Sequence, residues 1–116
     1  MSNRKSPNKF KAMTFRTIEG LAFIKYDNII HLRADRNNTL VFIVDKEEPV
    51  KVLSNISSLS LELPQDLFFR CHRSHIINLL HVNSYRHKSR EIVMSNDHCI
   101  PVSDNAEKKL LQIINE

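Results

Sequence analysis

The chain of 116 residues holds one glycine, Gly20, and no tryptophan. A phosphate-cradling loop or a dinucleotide fingerprint needs several glycines so that backbone can approach phosphate, and this sequence cannot supply them. Cysteine is nearly as scarce. Cys71 and Cys99 are too few for a disulfide scaffold, which points to a reducing, cytoplasmic setting. Long apolar runs are missing as well. The stretch 76–80 is broken by Asn78 and falls far short of the roughly 20 residues of a bilayer helix, so no membrane partner is expected. The basic start has no apolar segment behind it and is not a secretory signal.

Acid is absent from two stretches. Residues 1–18 carry Arg4, Lys5, Lys9, Lys11 and Arg16 without a carboxylate. Residues 67–90 carry Arg70, Arg73, Arg86, Lys88 and Arg90, with His72, His75, His81 and His87, again without one. Such a block focuses positive potential and attracts polyanions. The overall charge of +4 conceals this unevenness, because residues 45–66 are acidic.

What is present reads mostly as strand. Residues 13–18 and 21–24 alternate apolar and polar around Glu19-Gly20, predicting a hairpin with Gly20 in the left-handed region. Residues 28–32 and 39–44 are β-branched and aromatic, and the polar loop 34–38 between them offers asparagines for positive φ. A short strand at 49–53 follows. Ile56, Leu59 and Leu63 recur at helical spacing behind a Ser54/Asn55 cap, and Pro64 closes that helix. Residues 74–80 suit either a helical turn or a buried strand. Residues 83–86 and 90–94 predict a hairpin, and Pro101 confines the strand 99–102 to an edge. Ser103 caps a last helix, 106–114, with Leu110, Leu111 and Ile114 expected inward. Residues 1–12 read as a flexible basic tail and 13–116 as one mainly β domain, with one short internal helix and a C-terminal helix.

Enzyme chemistry finds little support. Ser74 lies between His72 and His75, but no strand-nucleophile-helix elbow or oxyanion glycine surrounds it. Cys71, His72, His75, His98 and Cys99 include zinc-binding types, yet the adjacent pairs would point to opposite faces of a strand. No metal and no cofactor are expected. Neighbouring strands at 68–72 and 99–102 would instead let Cys71 and Cys99 form an oxidisable pair.

The densest motif is Phe68-Phe69-Arg70-Cys71-His72-Arg73-Ser74-His75-Ile76-Ile77-Asn78-Leu79. An aromatic anchor runs into an Arg/His/Ser edge whose donors suit guanine and phosphate. This motif resembles the signature of the LytTR family of bacterial response-regulator output domains. Ile29-Ile30-His31-Leu32-Arg33-Ala34-Asp35 and Ile100-Pro101-Val102-Ser103 resemble further family patterns, so the likeness extends over residues 13–114. It implies small antiparallel sheets with short helices, and a sequence-specific transcriptional regulator of a two-component system that grips duplex DNA through loops.

Carried over by position, the resemblance assigns DNA contact to three groups of residues. Arg36, Asn37 and Asn38 form one, and Arg70, His72, Arg73 and His75 a second. The third is Ser103, Asp104 and Asn105, with Lys108 and Lys109 nearby. Asn78 suggests a structural hydrogen-bonding role. Asn38 and His75 stand where the family often has an aromatic, and Asp104 where a cation often reaches the DNA. The resemblance further implies a cytoplasmic monomer whose copies sit side by side on repeated half-sites. Met1 opens directly onto the basic tail, so the chain reads as a free-standing output domain or a fragment. The competing reading is a basic β-domain for RNA, single strands or an acidic protein partner.

Overall fold

A computed structural model of the protein describes residues 11–115. Ten strands and two helices follow one another, in the order β1 (Ala12–Thr17), β2 (Gly20–Lys25), β3 (Ile29–Asp35), β4 (Asn38–Ile43), β5 (Val50–Val52), α1 (Ile56–Glu62), β6 (Phe68–His72), β7 (His75–Asn78), β8 (Val82–Arg86), β9 (Glu91–Met94), β10 (Cys99–Pro101) and α2 (Asp104–Ile114). Single 3-10 turns at Tyr26–Asn28 and Leu79–His81 lead into β3 and β8. The mainly β expectation is met. Most of the basic tail, residues 1–10, lies outside the described residues, but Ala12 is buried in β1 and belongs to the fold rather than to a tail.

Three antiparallel sheets form: β1-β2, β10-β9-β8, and a central sheet in the order β5-β4-β3-β7-β6. The central sheet is buried on both faces. Ile29, Leu32, Val41, Val52 and Ile76 pack on one side with Met13, Phe15 and Ile24 of the hairpin and Ile56 and Leu59 of α1. Ile30, Cys71 and Ile77 pack on the other side with Ile92 and Met94 of β9, Ile100 of β10, and Ala106 and Leu110 of α2. Consecutive residues Ile76 and Ile77 thus serve opposite cores. That double burial explains the consecutive apolar residues of 76–80, interrupted only by Asn78, in a segment whose first part is strand and whose end is a 3-10 turn. Ile30 escapes simple alternation because a bulge lies between Ile29 and His31.

Local signals explain most boundaries. Asn55 caps α1 by accepting from the Ser58 N–H at 2.8 Å, and Ser103 caps α2 by accepting from the Ala106 N–H at 3.2 Å. Gly20 has a φ of +134° where the β1–β2 turn rejoins the strand. Pro101 sits on β10, an edge strand. Two expectations need correction. The β3–β4 turn is only Arg36 and Asn37, and Arg36, not an asparagine, takes positive φ at +58°. In α2 the inward residues are Ala106 and Leu110. Leu111 is half-buried and Ile114 is exposed, because the helix meets the core with its first two turns.

Asn78 is fully buried at the end of β7 and wholly satisfied. Its Nδ2 donates to the carbonyls of Tyr26 at 3.0 Å and Ile29 at 2.8 Å, while Oδ1 accepts from the Leu80 N–H at 2.9 Å. The structural role read from its apolar surroundings is therefore present. Asn78→Ala would strand those buried backbone groups and should cost about 2–4 kcal/mol. Asn78→Asp, equal in size but lacking the amide donors, should be no better. Urea titrations check this. A wild-type midpoint for either variant would show that the network contributes nothing.

Candidate nucleic-acid interface

The register of the central sheet decides which turns meet. Arg33 pairs with His75 across β3 and β7, and His75 pairs with His72 across β7 and β6. The Ala34 N–H continues this ladder by donating to the Ser74 carbonyl at 2.9 Å. Antiparallel pairing therefore sets the β3–β4 turn, with Arg36 and Asn37, beside the β6–β7 turn, with Arg73 and Ser74. The start of α2 joins the same end, because the Ser103 N–H donates to the Cys71 carbonyl on β6 at 2.9 Å. All three groups of expected residues are brought to one end of the molecule.

Their side chains differ in what they can offer. Arg36, Asn37, Arg73, Asn105, Lys108 and Lys109 are exposed, and Asn38 is half-buried where β4 begins. Arg70 turns back: its Nη2 donates to the Arg73 carbonyl at 2.6 Å and braces the turn from within. His72 also serves the turn, its Nδ1 accepting from the Ser74 N–H at 3.1 Å. An accepting Nδ1 fixes the neutral tautomer with Nε2 protonated. Asp104 is exposed but does not stand alone, since its carboxylate pairs with Arg90.

Histidine adds less charge than its abundance suggests. Burial pushes His75 down to about 4, assisted by His72 and Arg33. His31, 1% exposed, is pushed down to about 3, first by burial and then by His98, His75 and Arg33. Its ring stacks on Phe42 with centroids 4.3 Å apart, and its Nε2 lies 3.0 Å from His98 Nδ1. One nitrogen of that pair must donate and the other accept, so the contact requires a proton on only one of them. Positive potential at this end comes instead from arginine and lysine. Arg33, absent from the sequence-based assignment, is part of it. Its guanidinium lies 5.3 Å from the Phe42 ring centroid, on the strand position beside His75. An arginine two residues after His31 on an otherwise buried strand was the available signal.

The basic block 67–90 divides between two sheets. Arg70 on β6 and Arg73 in the β6–β7 turn belong to the central sheet, whereas Arg86 at the end of β8 lies with Lys88 and Arg90 of the β8–β9 turn. The second turn still adjoins the first, since the Val102 N–H donates to the Arg90 carbonyl at 3.0 Å just before Ser103 meets Cys71. The thiol pair does not form as expected. β6 and β10 lie in different sheets, and strand alternation turns Ile100 inward while Cys99 faces solvent. Cys71 is buried, 3.6 Å from the Pro101 carbonyl, and burial pushes its thiol up to about 12. Among the described residues no group of three histidine, cysteine or acidic side chains is arranged to hold a metal ion.

Comparison with known proteins places this geometry. The family model of the LytTr DNA-binding domain matches residues 19–115. Accessory gene regulator A of Staphylococcus aureus (strain Mu50) is 26% identical over 104 residues, covering 88% of this chain and 42% of that protein. The chain thus spans less than half the length of this relative. A solved LytTr DNA-binding domain of a Bacillus cereus response regulator superposes with a TM-score of 0.74 at 24% identity, covering 90% of this chain and 97% of that one.

The buried histidine carries a pH signature. His31 is held neutral when folded, with a pKa of about 3, but takes up a proton near 6.5 when unfolded. Its contribution is complete above that value and is lost as pH falls from about 6.5 toward 3. Each extra proton bound by the unfolded state removes about 1.4 kcal/mol per pH unit within this window. Urea midpoints measured from pH 7.5 to 4.5 should fall more steeply for the parent than for His31→Phe, which keeps a ring on Phe42. Equal slopes would remove His31 as the source.

Proposed function

Because the chain belongs to the LytTr DNA-binding domain family, we propose that it is the DNA-reading part of a bacterial transcriptional regulator, gripping duplex DNA through its turns. The supporting observation is the convergence of the β3–β4 turn, the β6–β7 turn and the start of α2 at one end, fixed by the Ala34–Ser74 and Ser103–Cys71 hydrogen bonds. No recognition helix is needed. Arg73, at the tip of a turn braced by Arg70, offers guanine a planar fork on a rigid support. Arg36, Asn37 and Asn38 supply polar contacts beside it, while Lys108 and Lys109 address phosphate from the exposed side of α2. His72 and His75 act as neutral partners and Ser103 holds the α2 start in place, with Asn105 exposed next to it.

The chemistry of this family is binding, not catalysis. Among the described residues no helix is long and apolar enough to cross a membrane. We read the protein as cytoplasmic and monomeric, with neighbouring copies on repeated half-sites. A strand platform for RNA is disfavoured because, among the described residues, no row of stacking aromatics lies at the surface, the feature that such platforms use.

Titration of selected and scrambled duplexes tests the reading. Arg73→Ala should cost about 1–3 kcal/mol on the selected duplex and relax preference at one position. Lys108→Ala should weaken all duplexes alike and lower the salt slope by about one unit. Single and paired half-sites should give one and two shifted species. Equal affinity for duplex, single-stranded DNA and heparin would reduce the site to a nonspecific basic patch.

A further inference from the structure

Two carboxylates sit where a DNA-binding surface should repel them. Asp104 and Glu107 occupy the first turn of α2, and both converge on Arg90 at the end of the β8–β9 turn. Arg90 Nη1 pairs with Asp104 Oδ1, and its Nε lies 3.8 Å from Glu107 Oε1. Glu107 is itself anchored by the Tyr85 hydroxyl, which donates to its Oε2 at 2.5 Å, with His87 Nδ1 3.4 Å from the same oxygen. The Arg90 backbone is equally constrained. Its φ is +55°, and its carbonyl accepts from the Val102 N–H at 3.0 Å. The Arg90–Asp104 pair is exposed, and exposed ion pairs contribute little to stability, so stability alone does not account for Asp104 on this arginine.

We propose that Arg90 is a base-reading residue at this end of the interface, held in a reading orientation by Asp104 and Glu107. The proposal rests on the DNA-binding function above and names a specificity determinant within it. Two carboxylates around one guanidinium leave no net positive charge, so the cluster is poorly suited to phosphate. It remains well suited to a base edge. A guanidinium has five N–H donors, and the contacts to Asp104 and Glu107 run through Nη1 and Nε rather than through Nη2. The Arg90 side chain is 44% exposed and that of Asp104 85%, so the pair faces outward beside the start of α2. Anchoring at both backbone and side chain removes rotamer freedom that a lone surface arginine would lose on binding. Asp104 then orients the fork and can itself accept from a cytosine amino group nearby.

Selection of duplexes from a random pool, run with the full chain and three variants, tests this assignment. Arg90→Ala should abolish the preference at one position, with a loss of roughly five- to 150-fold on the selected duplex and little change on a duplex altered there. Arg90→Lys, which keeps the charge but loses the fork, should flatten the same position. Asp104→Asn should weaken that preference partially without lowering the melting temperature. The assignment is overturned if Arg90→Lys keeps the full preference, or if Arg90→Ala weakens all duplexes uniformly. It is also overturned if Asp104→Asn alone erases the preference, which would make the aspartate the reader. A parent chain without any duplex preference would refute the sequence-reading function proposed above, an outcome visible before any variant is measured.

Discussion

Asn78 ties together the two strands on which everything else is aligned. Its amide reaches back to the carbonyls of Tyr26 and Ile29, where β3 begins, from the end of β7, and its oxygen starts the turn into β8. A slip of one residue between β3 and β7 would exchange Ile76 and Ile77 between the two cores. It would also separate Arg33 from His75 and the β3–β4 turn from the β6–β7 turn. A sheet that is apolar on both faces has no polar side to report a wrong register. The directional hydrogen bonds of one buried amide supply that information.

Double burial also determines where charge can go. With one face under the β1–β2 hairpin and α1, and the other under the three-stranded sheet and α2, cations are driven to the rim and the turns. Several nearby acids are paired with a cation: Asp35 lies 3.6 Å from Lys51, and Asp104 and Glu107 share Arg90. Histidines near the core stay neutral because their surroundings penalise a proton. The positive field at the turn end is therefore carried by arginine and lysine rather than by these two histidines.

Elements that are half-buried could be read from the residues, because their two faces differ. The β1–β2 hairpin, the cap of α1, the edge position of β10 and the cap of α2 follow from alternation, capping oxygens and proline chemistry. β7 could not be assigned, since burial on both sides erases the period of two that marks a strand. The inward face of α2 was misjudged at Leu111 and Ile114 because nothing in a helical period tells where the core stops. At the site, the motif around Arg73 was legible as a group, but the uses of its members were not. Arg70 braces the turn and His72 caps it, and these are consequences of turn geometry. The contact between His31 and His98 joins residues 67 apart in sequence, and only the packing of the two sheets brings them together.

Scarcity of glycine gives the turn end its remaining feature. With Gly20 spent on the first hairpin, the other positive-φ positions among the described residues fall to Lys11, Arg36, Asp45, Arg90 and Asp97. A side chain in the left-handed region costs roughly 1–2 kcal/mol relative to an ordinary conformation, and glycine would avoid that cost. Yet at the β3–β4 and β8–β9 turns the residue in this conformation is an arginine. Glycine there would relax the backbone and leave no guanidinium at the tip. Strain at both turns is in this way coupled to the display of a planar cation, one beside Arg73 and the other over the start of α2. The backbone conformation that disfavours these residues is also what fixes the direction in which they point.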